Sequence, residues 1–288
     1  MPMLRAGDYL LELAPETGGA IARFEWRGQP LMRASCGPSI FDTACFPLVP
    51  FSNRIAFGRF DADGREVLLP PNFPGADHPH PLHGFGWQAP WSVAERQPAR
   101  AILRHHHVSD AWPWRYEAEQ SFELSPDGLS HALSVRNLGD SAMPAGLGFH
   151  PYFPRTDQTV YTGRHRGEWQ TSAEGLPVRL DLAPSAIDWW HGASVGSRTV
   201  DTVYTGREGP LRIDWPERNL RLRIEPAASL AYTVVYTPAG QDFFCVEPVS
   251  HMTDAVNRPE GRGDIRWLAP GEGMTVDVHY AAGWMDDV

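Results

Sequence analysis

Apolar and polar residues alternate over short runs along most of the chain, and turn-forming residues bound each run. YLLEL (9–13) and AIARFEW (20–26) flank the turn-like APETGG, while EAEQSFEL (117–124) and LSHALSVRNL (129–138) flank SPDG. In SPDG the proline presets φ and the glycine accepts a positive φ, so a hairpin is predicted there. LRLRIEP (220–226), AYTVVYTP (231–238), DFFCVEP (242–248) and MTVDVHY (274–280) carry the period-two pattern toward the C-terminus. That period sets one face of each run against a core, which predicts strands and not helices. With 27 glycines and 27 prolines, no long uninterrupted amphipathic helix is visible. No repeat with a period of about 20–50 residues appears, which argues against propellers and solenoids. No Gly/Ser tract or charge block divides the chain. The pattern predicts an all-β protein, residues 1–288 forming one large antiparallel β-sandwich domain of two sheets packed face to face.

Composition removes several chemistries. Hydrophobic residues make up 42% of the 288, enough for a sizeable core, and no apolar stretch is long enough to span a bilayer. The first apolar run carries Asp8 and Glu12 and lacks the h-region of a signal peptide, so a cytoplasmic location is expected. Cys36, Cys45 and Cys245 are odd in number and at no metal-like spacing, and read as reduced thiols. A net charge of −10 argues against nucleic-acid binding, which neutralises phosphates with a basic surface. All 25 basic residues are arginine. Without lysine there is no Schiff base, no pyridoxal phosphate anchor and no P-loop amine.

Four segments could carry chemistry. In FPLVPFSNRIAFGRF, Asn53 and Arg54 are polar within an apolar stretch, and a buried arginine needs an acceptor. The segment 71–91, PNFPGADHPHPLHGFGWQAPW, is loop-like and holds His78, His80 and His83. Their spacing suggests metal ligands, yet no cysteine or second cluster completes a site, and no metal or other cofactor is expected. The glycines of HGFG should let a ligand approach His83 closely. In GLGFHPYFP (146–154), Pro151 removes a backbone donor after His150 and should close the strand there. His150 could equally be a packed core histidine. In DFFCVEP, Glu247 follows four apolar residues where the strand should end at Pro248. A carboxylate so placed has its pKa raised unless a cation holds it, which is how a general base is poised; a surface carboxylate at a strand end is the alternative.

Taken together, PFSNRI, HPLHGFGW, GLGFHPYF, DTVYTG and FCVEPVSHMTDAVN occur in the order and approximate spacing of the aldose 1-epimerase (galactose mutarotase) family, which the chain resembles over nearly its whole length. The resemblance implies a β-sandwich that interconverts the α and β anomers of free aldoses. It implies Glu247 as the base at the anomeric O1 and His150 as the acid at the ring oxygen O5. It implies His83 and Arg54 as hydrogen-bonding groups near the reacting centre and Asp201 as the carboxylate on distal hydroxyls, with Asn53 a further binding candidate. His150 must then be protonated at neutral pH by a neighbour the sequence does not identify. Many members with established galactose activity carry Gly-Gly after the histidine that matches His83; here Phe85 interrupts the pair and should narrow or reshape the pocket. A hexose-6-phosphate 1-epimerase is the nearest alternative and would recruit arginines such as Arg59, Arg65, Arg164 or Arg166. A non-catalytic sugar sensor on the same sandwich, or a cupin-like metal enzyme built on His78, His80 and His83, are readings from other classes. The expected partner is a small sugar, not nucleic acid or membrane, for a monomer or homodimer.

Overall fold

The alternation in 117–138 becomes a hairpin: Tyr116–Ser125 pairs antiparallel with Gly128–Asn137, Ser125 opposite Gly128 across the two-residue turn Pro126–Asp127. Nearly every second residue of Tyr116–Ser125 is buried, as the sequence pattern requires. In a computed structural model, which describes residues 1–73, 78–183, 189–259 and 264–287, this hairpin lies within a nine-stranded antiparallel sheet. A second sheet of eleven strands has at its middle Cys45–Leu48, Gly148–Pro154, Phe243–Val249, Tyr232–Tyr236 and Asp201–Thr205, adjacent in that order. The helical elements among the described residues are 3₁₀ turns of three residues, and no helix is long and apolar enough to cross a membrane.

The two sheets pack face to face through one continuous apolar cluster. Phe24 and Phe149 of the larger sheet meet Tyr280 and His131 of the smaller at ring separations of 6.1 and 4.4 Å. Burying each such aromatic stabilises the fold by roughly 1.5–3 kcal/mol before entropy is counted. The larger sheet is buried on its outer face as well. Phe46, Tyr152, Val234 and Cys245 form a second cluster there, under Trp87 and Met252 from covering loops. Two covered faces explain why Phe243–Val249 and Gly148–Pro154 are buried almost throughout.

Neither proline ends its strand. Gly148–Pro154 runs through Pro151, and Phe243–Val249 runs through Pro248. Pairing between the two strands is anchored at Gly148↔Val249 and Tyr152↔Cys245 and is interrupted between these anchors. Both prolines lie in that interruption, where their missing N–H breaks no ladder bond. The same register sets His150 directly across from Glu247. Alternation sends Phe149 and Phe153 into the sandwich and His150 and Tyr152 to the outer face.

Candidate functional site

Six side chains singled out in the sequence, Asn53, Arg54, His83, His150, Asp201 and Glu247, line one cleft of about 300 Å³ on the outer face of the larger sheet. That volume suits a small molecule. The sheet is its floor. His150 and Glu247 form one row of that floor, continued by Val234, which pairs with Glu247. In the next row Tyr152 and Tyr236 flank Cys245, and Asp201 pairs with Tyr236. Residues brought from nearly a hundred positions apart become neighbours because strands exchange partners across the sheet.

His150 and Glu247 face each other with Nε2 and Oε1 3.4 Å apart, the carboxylate side chain only 3% exposed. Burial pushes the Glu247 carboxyl well above the usual range; Asp201 adds to the rise and Arg54 opposes it. Burial lowers the His150 pKa to about 3. Both groups therefore favour their neutral forms, the carboxylic acid on Glu247 and the uncharged imidazole on His150. Phe46 stacks on the His150 ring at 4.4 Å and fixes its plane, while His83 meets it edge-on at 5.2 Å.

The PFSNRI and HPLHGFGW segments cross this floor and are tied to each other. Asn53 and His83 both adopt left-handed backbone, φ 58° and 60°. The Asn53 N–H donates to His83 Nδ1 at 3.1 Å, and the His83 N–H returns a bond to the Asn53 carbonyl at 3.0 Å. Since Nδ1 accepts, the proton of the neutral ring resides on Nε2, which makes His83 a donor on its free edge. Such strained backbone persists only where its surroundings hold it, as this reciprocal pair does. Arg54 is held by three acceptors: Asp201 Oδ2 at 3.2 Å, Asn53 Oδ1 at 3.1 Å and His78 Nε2 at 3.4 Å. Asn53 thus sets two other binding groups as well as lining the cleft itself.

Several expectations are revised. The glycine at position 84 (φ +71°) serves a close backbone approach, not a ligand: a Cβ there would lie 2.2 Å from the Val49 carbonyl oxygen. Phe85 packs against His107 and Trp112 and lies outside the cleft lining, so it does not narrow the pocket. The three histidines of segment 71–91, of which positions 74–77 lie outside the described residues, each have a hydrogen-bond partner, and His78 Nδ1 also meets the His80 carbonyl at 2.8 Å. His80 Nδ1 accepts the Phe57 N–H at 2.9 Å, His83 is bound to Asn53, and His78 receives Arg54. The conspicuous HMTDAVN run is scaffold. His251 accepts the Ser52 N–H at 3.0 Å, and Asp254 accepts that of Ala56 at 2.9 Å, so together they clamp the loop bearing Asn53 and Arg54. Gly146 is required by contact, since a Cβ there would lie 2.0 Å from His251. Tyr152, Tyr236, Phe243, Phe41, Phe73 and His78 also line the cleft, and the sequence pattern does not single them out for it. For Tyr152 and Phe243 the signal was present, because each shares strand parity with His150 or Glu247.

A second cleft of about 450 Å³ adjoins the first through Arg54, His78 and Asp201, and Glu174 lies in its wall. Among the described residues, Arg54 is the single arginine in the first cleft's lining.

Comparison with known proteins adds an independent line. A family model described as aldose 1-epimerase matches residues 4–281. The Escherichia coli (strain K12) protein YphB, named as uncharacterized, is 35% identical over 292 residues, covering 98% of each chain. A crystal structure from Escherichia coli K12, provisionally named an aldose 1-epimerase, superposes with a TM-score of 0.90 at 32% identity, again over 98% of each chain. A galactose mutarotase-like protein from Clostridium acetobutylicum shares the fold, with a TM-score of 0.88 at 20% identity over 98% of this chain and 95% of its own.

Proposed function

The chain belongs to the aldose 1-epimerase family, and from that premise we propose that it interconverts the α and β anomers of an unphosphorylated aldose by opening and closing the sugar ring. The observation that carries this reading is the facing pair His150 and Glu247, 3.4 Å apart on adjacent strands at the cleft floor. Ring opening takes a proton from O1 and delivers one to O5, so an acid and a base must flank the same sugar. With the pair as imidazolium and carboxylate, Glu247 takes the O1 proton and His150 protonates O5. The C1–O5 bond breaks and the O1 electrons form the aldehyde carbonyl. The pair is left as carboxylic acid and neutral imidazole, the state that burial favours. After rotation about C1–C2, His150 recovers the O5 proton as O5 attacks the other face of C1, and Glu247 returns a proton to O1. The neighbour that protonates His150 is thus Glu247 itself: one proton exchanged within the pair suffices for the cycle.

His83 offers its Nε2–H to a sugar oxygen beside His150, while Arg54 and Asp201 present a donor and an acceptor toward the remaining hydroxyls. Preference for a free sugar over its phosphate ester rests on the charge of the lining. Arg54 is already tied to Asp201, and Glu174 and Asp201 line the adjoining cleft. Of the arginines considered for a phosphate, Arg59 pairs with Glu66, Arg166 pairs with Glu208, and Arg164 lines a different cleft. Polarimetry of freshly dissolved α-D-glucose, α-D-galactose and glucose 6-phosphate tests the reading. Relaxation of a free aldose should accelerate in proportion to enzyme; acceleration confined to the phosphate ester would overturn it.

A further inference from the structure

Cys245 is a buried nucleophilic group that the proposed reaction does not use. It precedes Glu247 by two positions on the same strand, so both side chains leave the same face of the sheet. Tyr152 and Tyr236 flank it, it is fully buried, and it does not line the cleft. His150 lies one row away, across the strand seam. The donor atoms of His150, Cys245 and Glu247 all lie within 4.8 Å of one another. A second observation concerns the same cluster: Glu247 Oε2 is buried and has no hydrogen-bond partner, although its carboxyl group belongs to the three-donor set.

From this convergence we propose that His150, Cys245 and Glu247 form a binding site for a soft divalent cation, of the Zn²⁺ class, whose occupation switches the site off. Tetrahedral zinc holds nitrogen, sulfur and oxygen donors at about 2.0–2.3 Å, which sets them roughly 3.3–3.7 Å apart. The three donors therefore need to close by about an ångström, within the reach of rotamer adjustment. The fourth position opens toward the cleft and takes water. Charge also fits: a dication bound to one thiolate, one carboxylate and one neutral imidazole is neutral overall, so the complex buries no net charge. Binding expels the Cys245 thiol proton and the Glu247 carboxyl proton, and so strengthens as pH rises. The thiolate selects Zn²⁺ and Cd²⁺ over Mg²⁺ and Ca²⁺, which prefer oxygen ligands. Occupation engages both ends of the proton relay at once. This inhibitory consequence rests on the mutarotase reading, whereas occupation itself does not.

The test titrates Zn²⁺, Cd²⁺ and Mg²⁺ against mutarotation and, separately, Co²⁺ against absorbance, where a thiolate ligand gives a charge-transfer band in the near ultraviolet. Zn²⁺ and Cd²⁺ should inhibit, EDTA should restore activity, and Mg²⁺ should be inert. Cys245→Ser and Cys245→Ala should retain mutarotation, lose the Co²⁺ band, and weaken Zn²⁺ inhibition about tenfold or more. A Cys36→Ser/Cys45→Ser variant should keep full sensitivity, since Cys36 is exposed and Cys45 belongs to the core between the sheets. Zn²⁺ sensitivity unchanged in both Cys245 variants, or a Co²⁺ complex without the thiolate band, would overturn the site. The Co²⁺ band decides occupation even if the protein has no mutarotase activity.

Discussion

Glu247→Gln separates catalysis from architecture more sharply than any other single change. Glutamine keeps the volume and leaves an oxygen facing His150, now 3.4 Å from Glu247 Oε1, but it cannot exchange a proton. A positioned acid or base contributes about 10²–10⁴-fold. Every opening and every closing passes through Glu247, so the loss should lie at the upper end, about 5 kcal/mol of transition-state stabilisation. Stability should move the opposite way. Burial raises the Glu247 pKa above its usual 4.5, so the folded state holds this proton more tightly than the unfolded chain does. Above that range the carboxylate opposes folding, and the opposition fades as pH falls toward 4.5. The neutral amide carries no such burden, so the variant should melt at or above wild type at pH 7, with the gap closing in acid. Polarimetric relaxation of α-D-galactose, corrected for the spontaneous rate, gives the first quantity and calorimetry across pH the second. A variant within tenfold of wild-type activity, or one inactive only because it has unfolded, refutes the reasoning.

Two further outcomes follow from the same geometry. Burial lowers the pKa of His131, His150 and His165 to about 3, and of His105 and His251 to about 4. The unfolded chain takes up these protons near pH 6.5 and the folded chain does not, so stability is present above that pH. Each group then removes roughly 1 kcal/mol per pH unit on acidification; the melting temperature should fall steeply between pH 6.5 and 4, and a flat profile there would contradict neutral burial. At Asn53, alanine loses both the side-chain oxygen on Arg54 and a residue tolerant of left-handed backbone, a strain of about 1 kcal/mol. Asn53→Gly relieves only the strain, so it should restore melting temperature while KM stays raised about tenfold; recovery of both would make Asn53 purely structural.

Much of the fold was legible because a period of two is a local property. Hairpin 116–137 could be read from EAEQSFEL, SPDG and LSHALSVRNL alone, since residues adjacent in sequence there are adjacent in space. The chemical inventory was equally legible. A carboxylate in an apolar run, two histidines, an arginine and the absence of lysine need no coordinates. The prolines misled because proline reports only on its own N–H. Whether that N–H would have met a partner depends on a strand nearly a hundred residues away. The face each residue takes was half visible. Parity joins Cys245 to Glu247 and Tyr152 to His150, but which parity meets the cleft was decided by the sheet's two unequal coverings. The protonation of His150 was beyond the sequence altogether, because desolvation and a facing carboxyl are properties of packed strands. Residue types and periodicity determine what chemistry this chain can offer; register across the seam between Gly148–Pro154 and Phe243–Val249 decided which groups face each other.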